Sequence, residues 1–170
     1  MAVDYYLKID GIEGDSQDEA HKNEIELIAY DWTETQSGTF AQGGGGGAGK
    51  VNMENFEFMM FTSKASPKLM LFCANGKHIK SAILTCRKAG EGQQDFCSIT
   101  MSDVIISKYR TMSHAPSSIA KNANVTTEVP IDQVCLNFGK IEFEYKTQKT
   151  DGAMDAPVKA GYNVKTNTTV

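Results

Sequence analysis

The stretch VCLNFGKIEFEYK, residues 134–146, decides the fold class because apolar and charged side chains alternate along its second half. Ile141, Phe143 and Tyr145 fall on one face of an extended chain, with charged residues between them. A period of two is that of a β-strand with one covered face. Residues 3–10 alternate in the same way, and they predict a first strand near the start of the chain.

Further strand-like runs lie at residues 24–32, 51–62, 78–88 and 95–109. The run 24–32 changes its apolar parity near Leu27 and Ile28, which indicates a strand covered on both sides or a bulge. The last twenty residues are expected to be irregular until Tyr162. Many strands without alternating helices predict an antiparallel two-sheet β-barrel or sandwich.

One short helix is predicted at residues 66–76. Ser66 offers an N-cap oxygen, Pro67 suits the first helical position, and Gly76 stands where a left-handed C-cap would lie. The helix should be about 8–10 residues long and is apolar on nearly all sides, so the sheet or a neighbouring subunit should cover it. Residues 33–50 are rich in glycine and are predicted to be a long loop, as is the polar segment 111–130.

Length and composition indicate a single globular domain over residues 1–170. A net charge of -4 and a pI near 5.4 argue against a protein that chiefly binds nucleic acid. The chain starts without a signal-peptide pattern and has no apolar run of about 20 residues, so membrane insertion is not expected. The four cysteines stand singly in apolar segments and are predicted to be buried free thiols.

The sequence offers no catalytic, cofactor-binding or metal-binding constellation. The run 44–50 fits the first seven positions of a phosphate-binding loop, but Val51 replaces the hydroxyl residue and a strand is predicted to follow. His21, His78 and His114 are far apart and are expected to be ordinary surface or packing residues. The chain is therefore predicted not to be an enzyme.

Several blocks, in order along nearly the whole chain, resemble the haemolysin-coregulated protein (Hcp) family of type VI secretion. They comprise residues 1–4 and 7–9, the turn 14–16, the glycine-rich stretch 36–51, the helix with its exit at 66–70 and 76–78, residues 87–90, 137–138 and 141–145, and the C-terminal 151–153 with Gly161 and Asn163. The segment 111–130 departs from the family pattern, which puts any contact carried over to it in doubt.

The resemblance implies a β-barrel with one helix at its side, six copies of which close into a ring. Such rings stack into the inner tube of the secretion apparatus, which is expelled with effectors in its lumen and acts as an effector chaperone. The implied partners are other copies of the chain, the effectors, the spike protein at the tube tip and the contractile sheath. The protein would be cytoplasmic before firing and then secreted without a cleaved signal peptide.

The resemblance also implies functional residues. Those assigned to ring stacking are Ser37, Gly38, Gly43, Gly44, Gly45, Gly46, Gly47, Gly49 and Lys50. Asp31 interrupts an apolar face of the second strand, so it is a candidate lumen residue, although an exposed strand-end carboxylate explains it equally well. Two other classes stay open on the residues alone: a nucleotide hydrolase using Lys50, and a monomeric barrel that holds an apolar ligand.

Overall fold

A computed structural model describes residues 3–38, 48–88, 93–113, 129–149 and 152–170. Its strands and helix in these ranges, in chain order, are β1 (Val3–Ile9), β2 (Ile25–Glu26), β3 (Ala29–Asp31), β4 (Glu34–Gly38), β5 (Ala48–Met53), β6 (Phe56–Phe61), α1 (Ser66–Asn75), β7 (Ile79–Lys88), β8 (Asp95–Met112), β9 (Ile131–Tyr145), β10 (Val158–Asn163) and β11 (Thr168–Thr169). Every strand pairing is antiparallel. The predicted mainly β class with one short helix is confirmed.

The barrel closes where the chain passes from β2 to β3. The Leu27 N–H donates to the Tyr5 carbonyl of β1 at 2.9 Å, and the next N–H, that of Ile28, donates to the Met59 carbonyl of β6 at 2.8 Å. Around the barrel the order is β1, β7, β8, β9, β6 and then β3 and β2. The parity change near Leu27 and Ile28 is thus a break at which the chain changes its pairing partner.

The long strand β9 belongs to both walls of the barrel. Its first half pairs with β6, from Phe61 opposite Ile131 to Phe56 opposite Leu136. Its second half pairs instead with β10, from Asn163 opposite Lys140 to Val158 opposite Tyr145. The expectation of an irregular C-terminus until Tyr162 is therefore wrong, because residues from Val158 complete a ladder along β9.

Large apolar side chains fill the barrel. In β6 the alternate residues Phe56, Phe58 and Met60 are almost fully buried, as are Leu84 of β7 and Leu136 of β9. Burying one side chain of this size contributes roughly 1.5–3 kcal/mol. All four cysteines are free, and the prediction of burial is confirmed for Cys86, Cys97 and Cys135, whereas Cys73 is only partly buried.

The helix α1 has its expected length of 10 residues, with Pro67 in its first turn and Gly76 as a left-handed C-cap at φ 62°. Its N-cap prediction is wrong: Ala65 holds that position, and no side chain caps the helix. Ser66 is the first helical residue, and its hydroxyl donates inward to Asp132 of β9 at 2.5 Å. The prediction failed because serine is a common N-cap residue, but the sequence does not show that its hydroxyl would bind Asp132 instead of the helix backbone.

The sheet covers only one face of α1. Leu69 and Phe72 are buried, whereas Met70 is 49% and Leu71 52% exposed. The sequence predicted that the sheet or a neighbouring subunit would cover this apolar helix. The sheet covers its inner face, and the outer face is exposed.

The glycine-rich segment is only partly a loop. Residues 34–38 and 48–53 pair as the two-stranded ribbon β4–β5, and the predicted strand 51–62 is divided at Glu54 and Asn55 into β5 and β6. Glycine counts predict a loop, but the flanking residues can still pair across it. The polar segment 111–130 is likewise shorter than predicted at its start, because β8 continues to Met112.

Candidate assembly surfaces

The ribbon β4–β5 carries several of the residues assigned to ring stacking. Ser37 and Gly38 end β4, and Gly49 and Lys50 lie in β5. Gly43 to Gly47 lie outside the described residues. The register shifts between Gln36 and Gly38, so that one residue of β4 faces two of β5, which is the arrangement of a β-bulge.

The ribbon stands apart from the nine-stranded sheet. Within the described ranges β4 and β5 pair only with each other, and their base is fixed by a 3.0 Å hydrogen bond from the Glu54 N–H to the Thr33 carbonyl. An isolated two-stranded ribbon is at best marginally stable in water, and unpaired strand edges tend to find partners. The ribbon is therefore an element that a neighbouring molecule would stabilise.

An apolar groove of about 470 Å³ separates the ribbon from β9 and β10. Its lining residues are Trp32, Glu34, Val51, Met53, Ile141, Phe143, Ala160, Gly161 and Tyr162. The indole of Trp32 meets Phe138 edge-on at 6.4 Å, and its Nε1 is buried without a hydrogen-bond partner in the described part of the chain. The groove is thus built on one side by a strand pair that has little support of its own.

The floor of the groove continues the face that forms the barrel core. One cross-strand row runs from Cys86 of β7 through Cys97 of β8 and Tyr145 of β9 to Val158 of β10. Exposure rises along this row from 2% at Cys86 to 44% at Tyr145 and 72% at Val158. The next row runs from Leu84 through Ile99 and Phe143, which is 41% exposed, to Ala160 of β10. The inward face of the sheet therefore extends beyond the part of it that the described residues cover.

We name this surface, formed by Phe143, Tyr145 and Val158 with the adjoining groove, the open face. Sequence reasoning placed Phe143 and Tyr145 on one side of a strand but could not show that this side is uncovered. The open face depends on the pairing partner β10, which begins at Val158 and widens the apolar face beside β9. Residues 156–160 carry few strand signals of their own.

Asp31 is the last residue of β3 and is exposed. It stands opposite Glu57 of β6, so two carboxylates share the outer face of the barrel. Glu57 in turn accepts hydrogen bonds from the Gln133 amide at 2.5 Å and the Cys135 thiol at 3.4 Å. Burial, together with this carboxylate, raises the pKa of Cys135 to about 11. Asp31 is therefore an exposed strand-end carboxylate, and its position in a lumen stays a prediction.

His21 is more than an ordinary packing residue. Its Nδ1 lies 2.9 Å from Glu24 and its Nε2 3.2 Å from Asp95, while its ring stacks on Tyr6 with 4.4 Å between centroids. Arg87 extends the network by a 3.0 Å contact to Asp18. These contacts fasten the segment between β1 and β2 to β7 and β8. The three-residue spacing of His21 and Glu24 could have suggested their contact, whereas the contact of His21 with Asp95 depends on the tertiary fold.

The phosphate-binding-loop alternative has the wrong local structure where the chain is described. Residues 48–53, which include Lys50, form a strand and not the start of a helix. The described residues also contain no group of three side chains placed to hold a metal ion. No described helix has the length and apolar character needed to cross a bilayer.

Comparison with known proteins adds an independent result. The family model for "Type VI secretion system effector, Hcp" matches residues 6–145. The chain is 40% identical to protein hcp1 of Pseudomonas aeruginosa over 169 residues, which cover 98% of both chains. The crystal structure of Hcp1 from Salmonella typhimurium superposes with a TM-score of 0.76 at 32% identity, covering all of both chains. A structure of a type six secretion system protein has a TM-score of 0.87 at 23% identity, over 99% of this chain and 100% of the other, and supports the fold.

Proposed function

Because this chain belongs to the Hcp family of type VI secretion proteins, we propose that it is a structural subunit of the secretion tube. Six copies close into a ring, rings stack into a tube, and effectors travel in its lumen, where the ring also protects them. The tube forms in the cytoplasm, meets the spike protein at its tip and the contractile sheath around it, and is then expelled. The protein acts by assembly and not by catalysis.

The open face is the observation that carries this proposal. A contiguous apolar surface on a single chain commonly marks a site of protein association. Here Phe143 and Val158 lie on the same sheet face as the barrel core, so a neighbouring copy that covers them would complete an existing hydrophobic layer. The same association could also cover the unpaired strand edges of the ribbon β4–β5 and prevent them from pairing elsewhere.

A ring needs two different surfaces on each subunit. In a closed heterologous assembly one face of a copy meets another face of the next, and the rotation returns to the start. Met70 and Leu71 provide a second exposed apolar surface on α1, an element that does not contribute to the open face. We assign these two surfaces to the two sides of the ring contact.

A single substitution on the open face tests this assignment. Phe143→Asp places a charge on the apolar face, and the control Gln17→Asp adds the same charge at an exposed site in the segment between β1 and β2. Native mass measurement should give the control a ring near six times 18.6 kDa and give Phe143→Asp mainly the monomer mass. Circular dichroism should show that both variants keep the barrel.

A folded Phe143→Asp variant that still forms full rings would refute the assignment of the open face. If the unchanged protein instead stayed a monomer and bound an apolar ligand in the groove, the monomeric-barrel alternative would replace the tube proposal.

A further inference from the structure

Two of the four cysteines face each other across neighbouring strands. Cys86 of β7 and Cys97 of β8 are direct partners in the antiparallel ladder, and both are free. Both are buried, and the Tyr30 hydroxyl lies 3.8 Å from the Cys86 sulphur. Cys73 lies on α1, and Cys135 has the Glu57 carboxylate as its hydrogen-bond partner. The cysteines thus form one close pair and two single residues.

The geometry of this pair suits a disulfide. Direct partners in an antiparallel ladder have Cα atoms roughly 4.5–5.5 Å apart, and disulfides span about 4.4–6.8 Å. The Cβ atoms of such partners are roughly 4.5–5.5 Å apart, so a bridge at about 3.8 Å draws the two strands together slightly. The register shift between Cys86 and Arg87 lies beside the pair, where the ladder is already irregular.

We propose that Cys86 and Cys97 are an oxidative modification site, a thiol pair that becomes a disulfide when the protein meets a low-molecular-weight disulfide. The chemistry depends only on the fold, whereas its natural occasion, export from a reducing to an oxidising compartment, rests on the proposed function.

The two sulphurs have different roles in the exchange. The hydrogen bond from Cys97, joined by that from Tyr30, lowers the pKa of Cys86 despite its burial, whereas the bond to Cys86 and burial raise the pKa of Cys97. Cys86 therefore ionises more readily than Cys97 and makes the first attack. It breaks the S–S bond of the reagent, forms a mixed disulfide and releases one reagent thiol. The Cys97 sulphur gives up its proton, displaces the second reagent thiol and closes the protein bridge.

Atoms and electrons balance in this exchange. One S–S bond forms in the protein as one breaks in the reagent, and the two protons of the protein thiols end on the two released reagent thiols. The pair is oxidised by two electrons, and the reagent is reduced by the same two.

Access to the buried pair is provided by the strand ends. Cys86 lies two residues before the end of β7, and Cys97 two residues after the start of β8. Strand ends open locally far more often than whole domains unfold.

The test uses the full chain, purified with reductant, desalted and incubated with glutathione disulfide. Free thiols are then alkylated and the intact mass is measured. Trypsin cuts after Arg87 and Lys88, so a bridge between Cys86 and Cys97 links two separate peptides. The matched control Cys73→Ser/Cys135→Ser keeps the pair, and Cys86→Ala/Cys97→Ala removes it.

The unchanged protein and the control should each lose two alkylation sites and yield the linked peptide. Their Tm should rise by about 5 °C, because the bridge restrains the unfolded chain, and reductant should reverse the rise. The proposal is overturned if both cysteines stay alkylatable, carry only glutathione, or bridge to Cys73 or Cys135. A bridge that lowers Tm would overturn the claim that the fold accommodates it. None of these outcomes depends on ring formation, so the tube proposal is tested separately.

Discussion

At the scale of single residues, Asp132 fastens the helix to the barrel. It is fully buried at the start of β9 and accepts hydrogen bonds from Thr62 at 3.1 Å and from Ser66 at 2.5 Å. Burial, followed by the negative charge of Asp132, also raises the pKa of Tyr109 of β8. A buried carboxylate is tolerated only when its oxygens are satisfied in this way.

Asp132→Asn should therefore destabilise the fold. Asparagine replaces one of the two carboxylate oxygens with an NH2 group, whereas the hydroxyls of Thr62 and Ser66 donate to one oxygen each, so at least one of these hydrogen bonds is lost or reversed. We expect a fall of about 2–3 kcal/mol in the free energy of unfolding, measured in urea. Asp10→Asn, at an exposed position on the turn after β1, should change it by less than about 0.5 kcal/mol. Equal effects of the two substitutions would show that the buried network is not stabilising.

Glu142 supplies a pH-dependent contact on β9. Hydrogen bonds from Lys140 and then Lys159 of β10 lower its pKa below the ordinary value of 4.5. A carboxylate with a depressed folded pKa stabilises the fold above its unfolded pKa, and this contribution is lost as pH falls through the folded pKa. Below about pH 4.5 the contact between β9 and β10 should therefore weaken.

Glu142→Gln should lower the free energy of unfolding at pH 7 by about 0.5–1 kcal/mol, as expected for a partly exposed ion pair. The difference from the unchanged protein should shrink as pH drops below 4.5 and vanish at pH 2. Glu19→Gln, at an exposed position in the segment between β1 and β2, serves as the control. A difference that persists at pH 2 would mean that Glu142 acts through packing and not through its charge.

Asp31 is the residue through which effector binding in the lumen can be tested. If it faces the lumen, Asp31 and Glu57 of each subunit line the path of an effector, and Asp31→Ala should weaken effector retention by the ring without changing ring mass. Co-purification of an effector with the two rings measures this. Undiminished retention by the Asp31→Ala ring would remove the residue from the lumen proposal.

At the scale of elements, the ribbon β4–β5 should act between rings and not within them. Glycines let the backbone approach a neighbour closely, and ordering such a segment costs about 1–2 kcal/mol per residue, so each stacking contact is weak. Replacing Gly44 to Gly47 with alanines should shorten tubes in electron micrographs and leave the mass of single rings unchanged. Tubes of normal length would contradict a stacking role for these glycines.

The elements also show how far sequence alone could go. The strands β7, β8 and the second half of β9 were predictable, because apolar and polar side chains alternate along their own sequences. Two elements were not: β10 depends on β9 to complete its ladder, and residues 34–38 and 48–50 of the ribbon lie in the glycine-rich segment that composition predicts to be a loop. The same holds for the surfaces: the glycine segment could be singled out from composition, but the open face exists only where β9 and β10 meet.

At the scale of the whole molecule, the barrel is complete but its apolar layer is not. The cross-strand row from Cys86 to Val158 passes from the core to the surface without changing character. A monomer leaves this apolar area in water, whereas the proposed ring would cover it once in every copy. The free energy of covering it favours association, and in the proposed ring the rotation between neighbouring copies would close that association into a finite particle.

The most direct test of self-assembly is the particle formed by the unchanged protein, observed by native mass measurement and negative-stain electron microscopy across a range of concentrations. The account predicts a mass near six times 18.6 kDa and annular particles with a central hole. A single species of 18.6 kDa at every concentration, with no annular particles, would contradict it.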